Sequence, residues 1–310
     1  MIKEKIKGKE IIEVEDRLLN YTGPDRVVTS HELAEELKKT DESVFRFKTG
    51  MESLDKNLDG VEAGELIIVT GPTGEGKTTL LMSITRNIAS DKINSLWFTL
   101  EVTPRQFINK LVKADEGAVL PTFYIPMAGY DDIDREFMEE FRRRKRREFE
   151  MIDWVEYKVI EAKLKSEAKG ETLRAVFIDH IHMIFSIARV ERNVSLEIGD
   201  MVAKIKSIAL ENNIVIFLIA HSKDDPNGTN REPRKEDIRD SGLISRLADT
   251  IIGVWRIPND DDGHGTRRKE INEGDNKAKI RIFKNRRNGK LGSFTADHKD
   301  HYLTEDFDLI

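Results

Sequence analysis

The chain alternates between short unbroken apolar runs and longer segments in which apolar residues recur every three or four positions. The runs are Leu66-Ile67-Ile68-Val69, SLWFTLE ending at Glu101, AVFIDH containing Asp179, IVIFLIAH ending at His221, TIIGVWR at 250–256 and KIRIFKN at 279–285. Runs of that length bounded by polar residues predict strands buried on both faces. Between them, LLMSITRNIA, the segment TPRQFINKLVKADE opened by Thr103, a charged stretch from Asp131 to roughly Lys169, and residues 196–213 predict helices. In the last of these, Ile198, Val202, Ile205 and Ile208 or Ala209 fall at helical steps. Strands separated by helices predict an α/β fold, a mostly parallel twisted sheet with helices on both faces. Ligands of such sheets sit beyond the carboxyl ends of the strands, and these runs end in polar residues suited to that position.

Residues 1–44 read differently. They are highly charged and too short for a core of their own, and are expected to form an N-terminal extension and linker helix ahead of one domain spanning 45–310. Thr29 and Glu32 make a capping box in front of HELAEELKK, where Leu33, Ala34 and Leu37 form a narrow apolar stripe. A helix that short needs something to pack on, either its own body or a neighbouring copy.

The first apolar run leads into Gly71-Pro72-Thr73-Gly74-Glu75-Gly76-Lys77-Thr78-Thr79, the pattern G-x-x-x-x-G-K-[ST] between a strand and a helix. Its glycines let backbone N–H groups turn inward, and the helix N-terminus adds a positive field. Lys77 supplies a charge for β- and γ-phosphates and Thr78 a hydroxyl for Mg²⁺. The loop predicts binding of ATP or another nucleoside triphosphate. Asp179, at a strand end, is suited to complete the Mg²⁺ site, although such a carboxylate can also cap a loop. Glu101 could activate the attacking water or simply begin a turn on the surface. His221 could sense the γ-phosphate or be a hydrogen-bonded core histidine.

Charge changes the picture little: 51 basic against 57 acidic side chains leave a net charge of -6, so any nucleic-acid contact must come from a local surface. The chain has no cysteine, which excludes disulfides and thiolate metal sites. His180 and His182 have strand spacing without further metal-ligand spacing. With no long apolar run and no leader-like start, a cytoplasmic protein without membrane contact is expected. Arg142 to Arg147 form a basic run, but flanking EFMEEF and EFEM allow a self-compensating helix face. The loops SKDDPNGTNREPRKEDIRDSG and FKNRRNGKLG are better candidates for binding.

GPTGEGKTT, FTLE, VFIDH, the H-x-K after the fourth run, DIRDSGLISRLADTIIGVWR and FKNRRNGKLG occur in an order that resembles DnaB-type (superfamily 4) hexameric replicative helicases. The likeness is particularly to the helicase half of phage primase-helicases and to mitochondrial Twinkle, and covers about residues 45 to 303. It implies a RecA-like core, a homo-oligomeric ring of six subunits, hydrolysis of NTP at subunit interfaces, translocation on single-stranded DNA and unwinding of forked duplex, with a primase or polymerase as further partner and a bacterial or phage source. It also implies that Glu101 activates water, His221 senses the γ-phosphate, Asp179 completes the metal site, Arg256 stacks on the base, and Lys284 with Arg286 reach into the next subunit. Lys223, Arg231, Arg234, Lys235, Arg239, Ser241 and Gly242 are implied to bind DNA. The linker helix at 30–39 is implied to dock on the neighbouring subunit.

There are departures. Only Lys223 matches the lysines of the related phage loop, with Asn227 and Thr229 near the places of others. The aromatic that completes the base sandwich falls on Ala296, and the polar insert between Pro258 and Lys277 is expected to be mobile. A RadA-like recombination or repair ATPase, or a nucleotide-gated assembly ATPase that does not translocate, remains an alternative on the same core.

Overall fold

A computed structural model of the chain describes residues 20, 26–39, 45–99, 103–113, 122–125, 140, 143, 151–181, 184, 194–222, 232–238, 241–257, 277–299 and 302–305. The chain divides into two units, residues 1–44 and 45–310. In the first, helix α1 (Ser30–Lys39) begins where its capping box predicts. Thr29 N–H donates to Glu32 Oε2 at 2.7 Å and Glu32 N–H donates back to Thr29 Oγ1 at 3.2 Å. The Thr29 N–H holds the Glu32 carboxyl below its ordinary value.

The second unit is built on one sheet. A two-residue pair, β1 (Arg46–Phe47) with β2 (Val61–Glu62), flanks helix α2 (Glu52–Leu58). The main strands are β3 (Leu66–Gly71), β4 (Asn94–Thr99), β5 (Thr122–Ile125), β6 (Leu173–Asp179), β7 (Val215–His221), β8 (Thr250–Arg256), β9 (Lys277–Asn285), β10 (Gly292–Lys299) and β11 (Tyr302–Thr304). They lie in the order β11-β10-β9-β8-β3-β7-β6-β4-β5. From β8 to β5 neighbours run parallel, and from β8 outward to β11 they run antiparallel. The run at 279–285 is therefore an antiparallel strand rather than part of the parallel set. The strands β5, β10 and β11 carry no unbroken apolar run and went unseen in the sequence.

Because side chains alternate along a strand, the apolar runs feed two cores. Ile67, Val69, Trp97, Phe177, Phe217 and Ile219 face one side, under α2, α3 (Lys77–Ser90) and α4 (Pro104–Lys113). Leu66, Ile68, Phe98, Val176, Ile178 and Leu218 face the other, under α5 (Met151–Glu167), α6 (Val194–Asn212) and α7 (Ser241–Leu247). On the first side an aromatic ladder crosses three strands, with Trp97 and Phe177 rings 4.8 Å apart and Phe177 and Phe217 rings 4.9 Å apart. Trp97 Nε1 donates to Thr85 Oγ1 of α3 at 3.0 Å, which satisfies the buried indole. Thr103 opens α4 with a capping box to Gln106, as expected. Of the charged stretch from Asp131, continuous helix is described only over Met151–Glu167. Ala296 is buried in the core at 1% exposure and pairs with Ala278, so it is a packing position and not a surface for a base.

Candidate nucleotide site and subunit edge

Register brings the site together. Gly71 pairs with His221 across β3 and β7, and Thr99 pairs with Asp179 across β4 and β6, so these residues share the carboxyl edge of the sheet. The chain turns from β3 into α3 through the phosphate loop. A Cβ on Gly71 would lie 2.2 Å from the Val254 carbonyl oxygen, so no other residue lets β3 turn this close to β8. Gly74 and Gly76 take positive φ angles of 82° and 99°, which presents the intervening amides to one side.

Within this cradle, Lys77 is buried at 5% exposure, and its ammonium donates to the carbonyls of Gly71 and Pro72 at 2.9 and 2.8 Å. It rests on the loop it would leave to meet a phosphate. Thr78 Oγ1 donates to Asp179 Oδ2 at 2.8 Å. A hydroxyl and a carboxylate side by side, the latter buried at 5% exposure, are hard oxygen donors of the kind Mg²⁺ takes. Groups of three or more His, Asp or Glu that could hold a metal without a nucleotide are absent among the described residues. His180 and His221 meet edge to face with centroids 4.2 Å apart beside Asp179, so His221 belongs to this edge. Glu101, His182, Lys223, Arg231 and Arg239, together with the insert over 258–276, lie outside the described residues.

Arg256 ends β8. Its backbone N–H donates to Glu75 Oε2 of the phosphate loop at 2.6 Å. Glu75 drew notice in the sequence only as a filler of the motif, and nothing in the pattern signals this contact.

Lys284 and Arg286 stand at the opposite edge. In the antiparallel pair of β8 and β9, Asn285 pairs with Thr250, the first residue of β8, while Ala278 pairs with Arg256, the last. Arg286 N–H donates to the Asp249 carbonyl at 2.9 Å, and Asp249 Oδ2 accepts the N–H of Leu66, which begins β3, at 2.8 Å. Gly71 ends the same strand, about 16 Å further along at roughly 3.3 Å per residue. Arg286 is thus a sheet's width away from its own phosphate loop. Its side chain is 66% exposed, with Nη1 3.8 Å from Asp249 Oδ1. Lys284 is differently placed: Nζ donates to the carbonyls of Ser245, Arg246 and Ala248 at 2.9, 3.3 and 2.5 Å, tying down the end of α7. Burial, then Arg286 and Lys235, lower its pKa, while Asp249 opposes them. Asp249, too, went unsignalled by the sequence pattern, and its carboxylate also takes Lys206 Nζ at 2.5 Å.

Of the residues expected to meet DNA, Arg234 and Lys235 lie at a 3-10 turn (Lys235–Asp237), where Arg234 N–H donates to Asp237 Oδ2 at 2.7 Å. Ser241 and Gly242 begin α7. The segment carrying Arg234 is moored to β9 by Glu232, which accepts from Lys279 at 2.9 Å and Arg281 at 3.1 Å.

A parallel sheet flanked by helices, with the phosphate loop between its first main strand and helix, defines the RecA-like phosphate-loop class. Residues 47–306 match the DnaB-like helicase C terminal domain family, and the chain belongs to it. The replicative DNA helicase DnaB of Rickettsia conorii is 25% identical over 232 residues, which are 70% of this chain and 47% of the relative. The chain spans about half the length of the curated relatives it matches, 47% and 58% in two of them. Among solved structures, a free-standing ATPase domain has a TM-score of 0.63 at 16% identity, covering 88% of this chain and 96% of that one. A DnaB-like replicative helicase, described with its interactions with primase, has a TM-score of 0.63 at 17% identity, covering 96% and 70%. These likenesses show a shared fold. Among the described residues no helix is long and apolar enough to cross a membrane.

Proposed function

We propose that this chain is the motor of a ring-shaped DNA helicase that hydrolyses ATP or a related triphosphate between subunits, moves along single-stranded DNA and opens forked duplex. Family membership supports the reading, and one observation carries it: Arg286 projects into solvent from the edge of the sheet opposite its own phosphate loop. A guanidinium there can serve only another copy's triphosphate, which makes hydrolysis depend on assembly. In this reading Lys77 leaves the Gly71 and Pro72 carbonyls to hold the phosphates, and Glu101 orients water. His221 senses the γ-phosphate, and Arg256 contacts the base. Thr78 and Asp179 hold Mg²⁺, which supplies neutralisation of phosphate charge. Lys284 would have to release the end of α7 to join Arg286. Lys223, Arg231, Arg234, Lys235, Arg239, Ser241 and Gly242 line the path of the DNA strand, six copies make the ring, and primase is a candidate partner. The expected division into a linker segment (1–44) and a motor (45–310) belongs to the same reading.

The test is complementation between two silent variants. Arg286→Ala retains a working phosphate loop and Lys77→Ala retains the guanidinium, so each alone should lack DNA-stimulated hydrolysis while their mixture regains part of it. Hydrolysis by Arg286→Ala at the wild-type rate, or a mixture as silent as its parts, would reject the trans role. Strand displacement on a forked substrate, absent with Lys77→Ala, separates a translocating motor from the assembly ATPase and the recombinase.

A further inference from the structure

β8 outruns β3. The two strands pair only from Ile67 with Thr250 to Thr70 with Gly253, so Val254, Trp255 and Arg256 extend past the point where β3 turns into the phosphate loop. The loop itself takes the place of the missing strand. Gly71 packs against the Val254 carbonyl, a Cβ on Gly76 would sit 3.8 Å from Val254 Cγ1, and Glu75 Oε2 accepts the Arg256 N–H at 2.6 Å. That contact is short for an N–H to oxygen bond, as expected where the acceptor is a carboxylate. It also puts an anionic side chain inside a loop whose other features favour anions.

We propose that Glu75 is a positioning residue that sets nucleotide selectivity: it fixes Arg256, at the base end of the site, to the loop that holds the phosphates. The inference rests on the nucleotide reading of the loop given above. The brace has two separable attributes. Its acceptor oxygen holds the Arg256 backbone, and its charge disfavours bare polyphosphate. Together they make the site prefer a ligand long enough to engage both ends.

Calorimetric binding of ATP and of inorganic tripolyphosphate to the full chain with Mg²⁺ reads the two ends separately. Glu75→Ala should lower the ratio of ATP affinity to tripolyphosphate affinity about tenfold, the loss of one charge-assisted hydrogen bond. Glu75→Gln keeps an acceptor oxygen, so it should bind both ligands at least as tightly as wild type and retain most of the ratio. Arg256→Ala should lower the ratio as Glu75→Ala does, and the double variant should lower it no further, because one residue acts through the other. A ratio unchanged in Glu75→Ala, or additive losses in the double variant, would overturn the proposal. Should Glu75→Ala fail to fold, an unchanged ratio in Arg256→Ala would do the same. Failure of the underlying nucleotide reading looks different: wild type would then bind neither ligand.

Discussion

Replacing Arg287 with alanine should cost about 3 kcal/mol of stability at neutral pH, and less in acid. Its guanidinium is 21% exposed and spans three partners. Nη2 donates to the carbonyls of Leu58 and Gly60, where α2 ends, and Nη1 lies 3.2 Å from Glu62 and 3.7 Å from Glu65. Two hydrogen bonds from a charged donor, at roughly 1.5 kcal/mol each in a part-buried site, give that figure before any electrostatic term. The carboxylates give it a pH dependence. Burial raises the Glu65 pKa above its ordinary 4.5, and Arg287 holds the rise down, while Asp249 and Glu62 add to it. Burial also works on Glu62, but hydrogen bonds from Arg46 and Arg287 prevail and leave its pKa lowered.

The sign follows from linkage. A carboxyl raised in the folded state costs nothing when both states are protonated, and costs progressively more as pH climbs through 4.5 to the folded value. Without Arg287 the Glu65 value rises further, and Glu62 gives up part of the stability it supplies above 4.5. Both changes penalise the variant at pH 7 and vanish in acid. Urea unfolding of wild type and variant at pH 7.5 and near pH 4 should therefore show the gap between them narrowing in acid. Arg287→Lys, which keeps charge without the planar fork, should recover part of the loss. A gap under about 1 kcal/mol, or one equal at both pH values, would refute the account.

Two further outcomes are expected. Lys284→Met should shift the urea midpoint by about 1 to 2 kcal/mol without nucleotide or DNA, because three carbonyls near the end of α7 lose their shared donor; a variant with unchanged stability and lost hydrolysis would make Lys284 a trans residue alone. Gly71→Ala should abolish nucleotide binding and destabilise the chain by more than about 2 kcal/mol, since the obstructing atom is a backbone oxygen. Full binding by that variant in a titration would show that the loop relaxes at little cost.

The parallel strands and their edge were legible in the sequence because burial on both faces demands unbroken apolar runs, and such runs are hard to mistake. Leu66–Gly71, Val215–His221 and Thr250–Arg256 lie within a residue or two of where the pattern puts them. The missed strands have only one protected face or none: β10 alternates half-buried and exposed residues along most of its length, and β5 is four residues at an edge. Side-chain direction was not legible at all. Arg286 and Arg287 are neighbours in the same turn, yet one projects outward at 66% exposure and the other is locked beneath α2 at 21%. No local pattern distinguishes them, because what selects the inward arginine is a set of carbonyls more than two hundred residues away. Glu75, Asp249 and Lys206 were missed for the same reason: their partners come from other strands.

The sheet grows outward from β8 through β9 to β11, and these are also the last strands the ribosome delivers. A nascent chain that has reached residue 257 already holds every parallel strand and the entire phosphate loop, while residue 286 is still unmade. If domains condense as they emerge, each copy acquires its pocket for a triphosphate before it acquires the arm it would lend to a neighbour. Such a fragment should bind but not fire.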